Sequence, residues 1–278
     1  MAKLKELLKN RLSADEVNKI KYSYDIIGDI AVINDLPWGM KSKAKLIAEA
    51  IKNTHKRLKV IAKKVGPTSG EERIRPVKVV LGEKRTETIH IENGFRFKLD
   101  INKVYFSPRL GAEHLRIINQ IKPYEEVYDL FAGVGPFAIP AAKKAKKVIA
   151  IDINPAACNY LKENALLNKV SDKIEIYCCD CRKVIEKEKF YNCADRVIMN
   201  LPMHAGEFLD VAFKVAKKGA IIHCYFFLHE KDMFKLAEDK LYNEAKKAGR
   251  EVKILEERKC GQLSPRIWRC VIDFEVLN

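Results

Sequence analysis

The segment 129-DLFAGVGPFA-138 decides how this chain is to be read. A β-prone run ending near Asp129 gives way to two closely spaced glycines and then to Ala-rich sequence, the form of a strand that turns sharply into a helix. Gly133-Val134-Gly135-Pro136-Phe137-Ala138 satisfies the dinucleotide pattern G-x-G-x-x-G/A, so the pattern alone does not choose a ligand. Charge does. A dinucleotide would bring its pyrophosphate to this turn and to the helix N-terminus, and Asp129 would repel that anion. S-adenosylmethionine instead carries a cationic sulfonium and an ammonium, which a carboxylate attracts. The turn is therefore expected to hold that methyl donor, through Asp129, Phe131, Gly133 and Gly135.

Outward from the turn, strands alternate with helices. The expected strands are 126–131, 147–152, 173–180, 195–200, 219–227, 251–257 and 267–276. Helical crossovers between the first five demand a parallel sheet. The last two are joined only by 258-RKCGQLSPR-266, so at least one of them runs antiparallel. The expected fold is α/β: a Rossmann-like, seven-stranded, mostly parallel sheet with its last strand pair reversed, the arrangement of class I methyltransferases. Asp152 ends the second strand and is placed to accept ribose hydroxyls. Asp180, at the end of the third, is placed to meet the adenine edge or to cap the next helix. Asn200-Leu201-Pro202 follows the fourth strand, where an open α/β sheet has its cleft, so an acceptor base is expected there.

The chain has 278 residues, and 52 Lys or Arg against 37 Asp or Glu leave a net charge of +15. Residues 41–90 hold 14 basic and 5 acidic side chains, so most of the excess sits in one stretch. Apolar residues run through that stretch, which makes it a folded basic surface suited to a polyanion. Residues 1–107 are expected to form a smaller mixed α/β RNA-binding domain and 108–278 the methyltransferase domain. The first would hold an amphipathic helix (Leu4, Leu7, Leu8, Leu12), a capping box from Ser13 to Glu16, a strand pair around Gly28-Asp29, a basic helix over 42–65 and a loop over 66–72. Asn93-Gly94, between alternating runs in 86-TETIHIENGFRFKLDI-101, demands a type I′ hairpin. No 18-residue apolar run and no export signal occur, so no membrane partner and a cytoplasmic location are expected. Eight cysteines without paired Cys-x-x-Cys spacing read as reduced thiols, and no metal site is expected.

Taken together, 86-TETIHIENGFRFKLDINKVYFSPRL-110, 103-KVYFSPRLGAEHLRI-117, 129-DLFAGVGPFAIPAA-142, 150-AIDINP-155 and 200-NLPMHAGEF-208 closely resemble the archaeal and eukaryotic tRNA (guanine-37-N1)-methyltransferase family over roughly residues 20–278. The resemblance implies methyl transfer from S-adenosylmethionine to N1 of guanosine 37, with Glu113 as general base, Arg73 stabilising O6, Tyr105 at the cleft, and Asn200 and Pro202 holding the guanine. Arg73, Arg75, Arg109 and Arg116 are expected on RNA. On sequence alone Glu113 also fits a helical ion pair with Arg109 or Arg116. Some members also methylate the 4-demethylwyosine precursor at the same position. A sister enzyme of the wyosine pathway transfers the aminocarboxypropyl group instead and lacks the Asn-Leu-Pro turn. The exocyclic-amine methyltransferases, with Asn/Asp-Pro-Pro-Tyr/Phe, fit poorly, since Leu201 and Met203 stand in that turn. A non-catalytic tRNA-binding protein and a dinucleotide oxidoreductase are the remaining alternatives. The chain begins at the basic domain, without the further N-terminal domain with which many members read the tRNA elbow, so the resemblance does not extend to whole-tRNA shape. His114 stands where some members have Arg, which implies one phosphate contact fewer. The expected partner is tRNA, not DNA, met by a monomer.

Overall fold

The computed structural model describes all residues except 1, 10, 20–23, 35, 37–38 and 67–73. The backbone separates into two compact units, Met1–Pro108 and Arg109–Asn278.

In the first unit, α1 (Ala2–Lys9) and α2 (Ala14–Lys19) precede β1 (Tyr24–Ile27) and β2 (Ile30–Ile33); α3 (Ala44–Thr54), β3 (Val60–Lys64) and β4 (Val77–Gly82) follow. The capping box forms as its residue types require: Glu16 N–H donates to Ser13 Oγ at 3.3 Å and Ser13 N–H to Glu16 Oε2 at 3.0 Å. The four strands make one sheet in the order β1-β2-β3-β4. Leu4, Leu8, Ile47, Ala48, Ile51 and Ile61 close its core against the helices. The basic helix expected over 42–65 is shorter than that: it ends at Thr54, and 60–64 is a strand. Leu58, Ile61 and Ala62 continue a helical period, but Val60, Ile61 and Ala62 are all buried between β2 and β4, a setting only an extended segment fills. The expected 66–72 loop lies, apart from Gly66, outside the described residues.

The hairpin forms from β5 (Glu87–Glu92) and β6 (Phe95–Asp100), with Asn93 at φ 51° and Gly94 at φ 83°, the two left-handed residues that a type I′ turn needs. It is pinned to the β1–β2 turn by Thr88 Oγ1 and His90 Nδ1, which accept from the Asp29 and Gly28 N–H groups.

The second unit starts with α4 (Gly111–Gln120), followed by β7 (Glu126–Asp129), α5 (Ala138–Lys144), β8 (Lys147–Asp152), α6 (Pro155–Leu167), β9 (Ile174–Cys178), α7 (Cys181–Ile185), β10 (Ala194–Met199), α8 (Leu209–Val215), β11 (Ala216–His229), α9 (Lys235–Lys247), β12 (Val252–Ser264) and β13 (Ile267–Val276). The seven strands lie in the order β12-β13-β11-β10-β7-β8-β9. All neighbouring pairs from β11 to β9 are parallel. The reversal is carried by β13 alone, which is antiparallel to both β11 and β12, so β12 keeps the common direction. The chain order reverses at β7, where β8 lies on one side and β10 on the other, and this switch point opens the crevice at the carboxyl ends of the strands. No described helix is long and apolar enough to cross a membrane.

The two turn glycines differ in what surrounds them. At Gly135, φ is 97° and a Cβ would stand 2.5 Å from Leu161 Cδ1 and 2.6 Å from Ile139 Cγ1, both in fully buried side chains. At Gly133, φ is 55° and a Cβ would meet nothing within 4 Å. Gly135→Ala is accordingly expected to cost roughly 2–5 kcal/mol, backbone strain and overpacking combined, and Gly133→Ala about 1–2 kcal/mol from strain alone. Urea unfolding of the two variants measures the difference.

Candidate active site

Three parallel strands bring their carboxyl ends to one rim. Asp129 ends β7, Asp152 ends β8, and Asn200 follows β10, whose Ile198 is registered with Asp129. Asp129 is completely buried. Its Oδ1 accepts from the Phe131 N–H at 3.4 Å, while Oδ2 has no hydrogen-bond partner. Burial is the main cause that pushes this carboxyl up to about 7, and the nearby Asp152 charge adds to it. Asn200 Oδ1 is likewise buried without a partner. Two acceptor oxygens on adjacent strand ends, both lacking a donor, are costly for the protein alone. A ligand cation bearing N–H groups removes that cost, and an ammonium beside a sulfonium fits the pair. A pyrophosphate does not.

Asp152 is held in place by its neighbours: Gly133 N–H donates to Oδ2 at 2.7 Å and Asn154 N–H to Oδ1 at 2.9 Å. Each oxygen keeps lone pairs for ribose hydroxyls. Asn154 also caps α6, accepting from Ala156 and Ala157. The glycine turn is fixed from behind by Asn164, a fully buried α6 residue whose Nδ2 donates to the Val134 carbonyl at 3.0 Å. Asn164 escapes a motif search because its signal, a lone Asn in a buried helix face, has no fixed spacing to the turn. Asp180 caps α7 through the Arg182 N–H and also binds the Arg182 side chain. Arg182 lies over the Phe208 ring at 4.8 Å, and Phe208 meets Phe131 edge-on at 5.1 Å. Phe131 thus stands at the rim with an aromatic partner that the sequence reading did not single out.

The Asn200 turn is anchored by Pro202, which is buried and accepts from the Phe227 N–H of β11 at 3.2 Å. Leu201 O accepts from His204 and Ala205. Met203 is exposed, and His204 pairs with Glu207.

Glu113, in the first turn of α4, is buried. Its Oε1 accepts from Arg116 Nη2 and from the Tyr225 hydroxyl, both at 2.7 Å; Oε2 accepts from Arg116 Nε at 2.9 Å. Since Met199 is registered with Cys224, Tyr225 is level with Asn200, which brings the Glu113 carboxylate to the same rim. Arg116 was expected on RNA, but the fold spends its charge internally: its side chain is 14% exposed and is bound by Glu113, Glu256 and Asp273. Arg109, by contrast, is exposed on the turn before α4. His114 is buried and packs edge-on to Phe137 at 4.5 Å. In the first unit, Tyr105 is half exposed and Arg75 Nε donates to the Gly66 carbonyl. Arg73 lies outside the described residues. All eight thiols are unbridged, and among the described residues no three His, Cys, Asp or Glu side chains are grouped to hold a metal ion.

Asp129 gives the site a pH signature. A carboxyl raised from its ordinary value near 4 to about 7 favours the fold while protonated, and that advantage is lost as pH rises through 7. Asn at this position does not ionise. Asp129→Asn is therefore expected to be more stable than the wild type by about 2–4 kcal/mol at pH 8, with the gain fading towards pH 4, as read by urea unfolding across pH.

Residues 88–255 match the family model described as the TRM5/TYW2 methyltransferase domain, and residues 4–86 match the TYW2 N-terminal domain. The tRNA (guanine(37)-N(1))-methyltransferase Trm5b of Pyrococcus abyssi is 44% identical over 254 residues, spanning 91% of this chain and 74% of that one. The tRNA(Phe) (4-demethylwyosine(37)-C(7)) aminocarboxypropyltransferase of Pyrococcus horikoshii is 33% identical over 280 residues, spanning 99% and 97%. Among solved structures, aTrm5 in complex with tRNALeu superposes with a TM-score of 0.85 at 36% identity, covering 98% of this chain and 77% of that one. P. horikoshii TYW2 in complex with MeSAdo superposes with 0.81 at 32%, covering 99% and 98%. The glycine turn, the unpartnered rim oxygens and the matched domains agree: this chain belongs to the TRM5/TYW2 methyltransferase family.

Proposed function

We propose that the chain is a tRNA (guanine-37-N1)-methyltransferase that uses S-adenosylmethionine. The observation that carries the reading is the shared rim: a buried carboxylate without a counter-charge, Asp129, stands two strand ends from a second, oriented carboxylate, Glu113. The first suits the cationic donor, and the second suits removal of the guanine N1 proton. The higher identity to Trm5b and the Asn-Leu-Pro turn at 200–202 favour methyl transfer.

The donor, when bound, supplies an electrophilic methyl group on a sulfonium. Asp129 and Asn200 would accept hydrogen bonds from its ammonium, and Asp152 would accept from its ribose. As N1 takes the methyl group, Glu113 accepts the N1 proton and negative charge on O6 is met by Arg73. Asn200 and Pro202 hold the guanine. Arg75 and Arg109 bind the RNA backbone alongside the basic stretch 41–90. An unpaired anticodon-loop base costs little to extrude. The protein acts as a monomer on tRNA, in the cytoplasm, and not on DNA.

A second reading has its own support, since residues 4–86 match the TYW2 N-terminal domain and the chain spans nearly all of the aminocarboxypropyltransferase relative. Methylation of the 4-demethylwyosine precursor at the same position is a further possibility within the family, as in the relative Taw21 of Saccharolobus solfataricus, a tRNA 4-demethylwyosine(37)-methyltransferase.

Transfer of labelled methyl from S-adenosylmethionine to transcripts bearing G37 or A37, followed by nucleoside identification, tests the proposal. N1-methylguanosine on the G37 transcript alone is expected. Product on precursor-containing tRNA only, carrying a methyl or an aminocarboxypropyl group by mass, would replace it with one of the wyosine readings. Glu113→Gln should lower single-turnover transfer by about 10²- to 10⁴-fold with cofactor and tRNA affinity kept, and unchanged transfer would exclude the base assignment.

A further inference from the structure

The face of the sheet beneath α4 is crossed by a line of buried charges that the proposed chemistry does not use. Glu125 binds Arg196 through both carboxylate oxygens, at 2.7 and 3.0 Å. Arg196 Nη1 lies 2.7 Å from His223 Nε2, and His223 Nδ1 lies 2.7 Å from Asp273 Oδ1. Asp273 Oδ2 accepts from Arg116 Nη1 at 2.6 Å, and Arg116 reaches Glu113. Arg196, His223 and Asp273 come from the adjacent strands β10, β11 and β13, with His223 and Asp273 directly paired in register. Glu125, Arg196, His223, Asp273 and Glu113 are all less than a tenth exposed.

The proton positions follow from the donors. A guanidinium only donates, so His223 Nε2 accepts from Arg196, and Nδ1 carries the hydrogen given to Asp273. His223 is thus a neutral bridge, and burial lowers its pKa in the same sense. Asp273, fixed by it, stays ionised: the His223 and Arg116 donors hold its carboxyl below the ordinary range although burial opposes this.

One guanidinium then serves three carboxylates. Glu256 and Asp273 take Nη1, Asp273 Oδ1 also reaches Nη2 at 3.5 Å, and Glu113 takes the Nε–Nη2 edge. The Tyr225 phenol on β11 and the Cys260 thiol on β12 are both pushed far up by burial and by the Glu113 charge, so neither ionises near neutrality.

We propose that Asp273, braced by His223, is a positioning residue for Glu113: it holds Arg116 so that the Nε–Nη2 edge of the guanidinium meets the base and fixes the carboxylate in the orientation that takes the N1 proton. The proposal rests on the reading of Glu113 as the general base. Removing the Asp273 carboxylate frees Arg116 to turn, and Glu113 with it, so the loss falls on the chemical step rather than on binding.

The test is single-turnover methyl transfer to G37 transcript, with saturating S-adenosylmethionine, from pH 5 to 8. It compares wild type, Asp273→Asn, His223→Gln and Glu113→Gln, with cofactor and tRNA affinities measured alongside. Asp273→Asn keeps an oxygen for Arg116. It is expected to lower the rate about tenfold at unchanged affinities and, combined with Glu113→Gln, to lower it no further, since no base is then left to position. His223→Gln loosens the brace on Asp273 and is expected to lower the rate in the same sense by a smaller factor. A wild-type rate in Asp273→Asn, or a further loss when it is combined with Glu113→Gln, overturns the proposal and leaves the base assignment standing. Full activity in Glu113→Gln overturns both. If Asp273→Asn fails to fold by circular dichroism, Asp273→Glu replaces it. That variant keeps the charge but displaces it by one methylene, so a lowered rate at unchanged affinities supports the proposal and a wild-type rate overturns it.

Discussion

The second unit is organised around a carboxylate with nowhere to put its charge. Asp129 ends the strand at which the chain order of the sheet reverses, and the crossovers on either side leave it fully buried, with one oxygen lacking any donor. A carboxylate in that position destabilises an empty fold. It is tolerable where a cationic ligand completes it, and the neighbouring features serve the same end. Gly135 passes between Leu161 and Ile139, where a side chain would not fit, Asn164 fixes the turn from behind, and Asp152 is oriented by two backbone N–H groups. The Asn200 oxygen completes the electrostatic shape on the next strand.

The second carboxylate of the rim is arranged on the opposite principle. Glu113 is fully hydrogen-bonded, and the groups that hold it extend through Arg116 into a charged line across three strands. Buried ion pairs are weak evidence for stability, because desolvation offsets most of their attraction. Their value here lies in geometry. In the role of base proposed for it, Glu113 needs a fixed rotamer, and a planar guanidinium fork supplies it as a lysine could not. The family relatives that transfer different groups share this scaffold, so the site rather than the fold decides the chemistry.

Much of this was legible in the sequence. Six of the seven strands stand close to where alternation of apolar runs puts them, while β12 runs on to Ser264 through most of the expected connection 258–266, paired there with β13; the hairpin turn follows from Asn93-Gly94 alone. The Ser13 capping box was equally local. What failed was non-local. Residues 58–62 carry a helical period, yet burial between two strands makes them extended. Arg116 reads as a surface cation on a helix, and its helical pairing with Glu113 was visible. Its burial depends on Asp273 and Glu256, more than a hundred residues later in the chain. Arg196, His223 and Asp273 have no common spacing either, and only the strand order β10-β11-β13 assembles them.

The claim on which the account rests is that Asp129 is neutral in the ligand-free protein near pH 6 and ionises when the cationic donor binds. Calorimetric titration with S-adenosylmethionine at pH 6, in two buffers of different ionisation enthalpy, reads this directly. The account predicts release of close to one proton per molecule bound in the wild type, and none in Asp129→Asn, which should also bind more weakly. A wild-type enthalpy independent of the buffer would contradict it, since no proton would then leave Asp129 as the cation arrives.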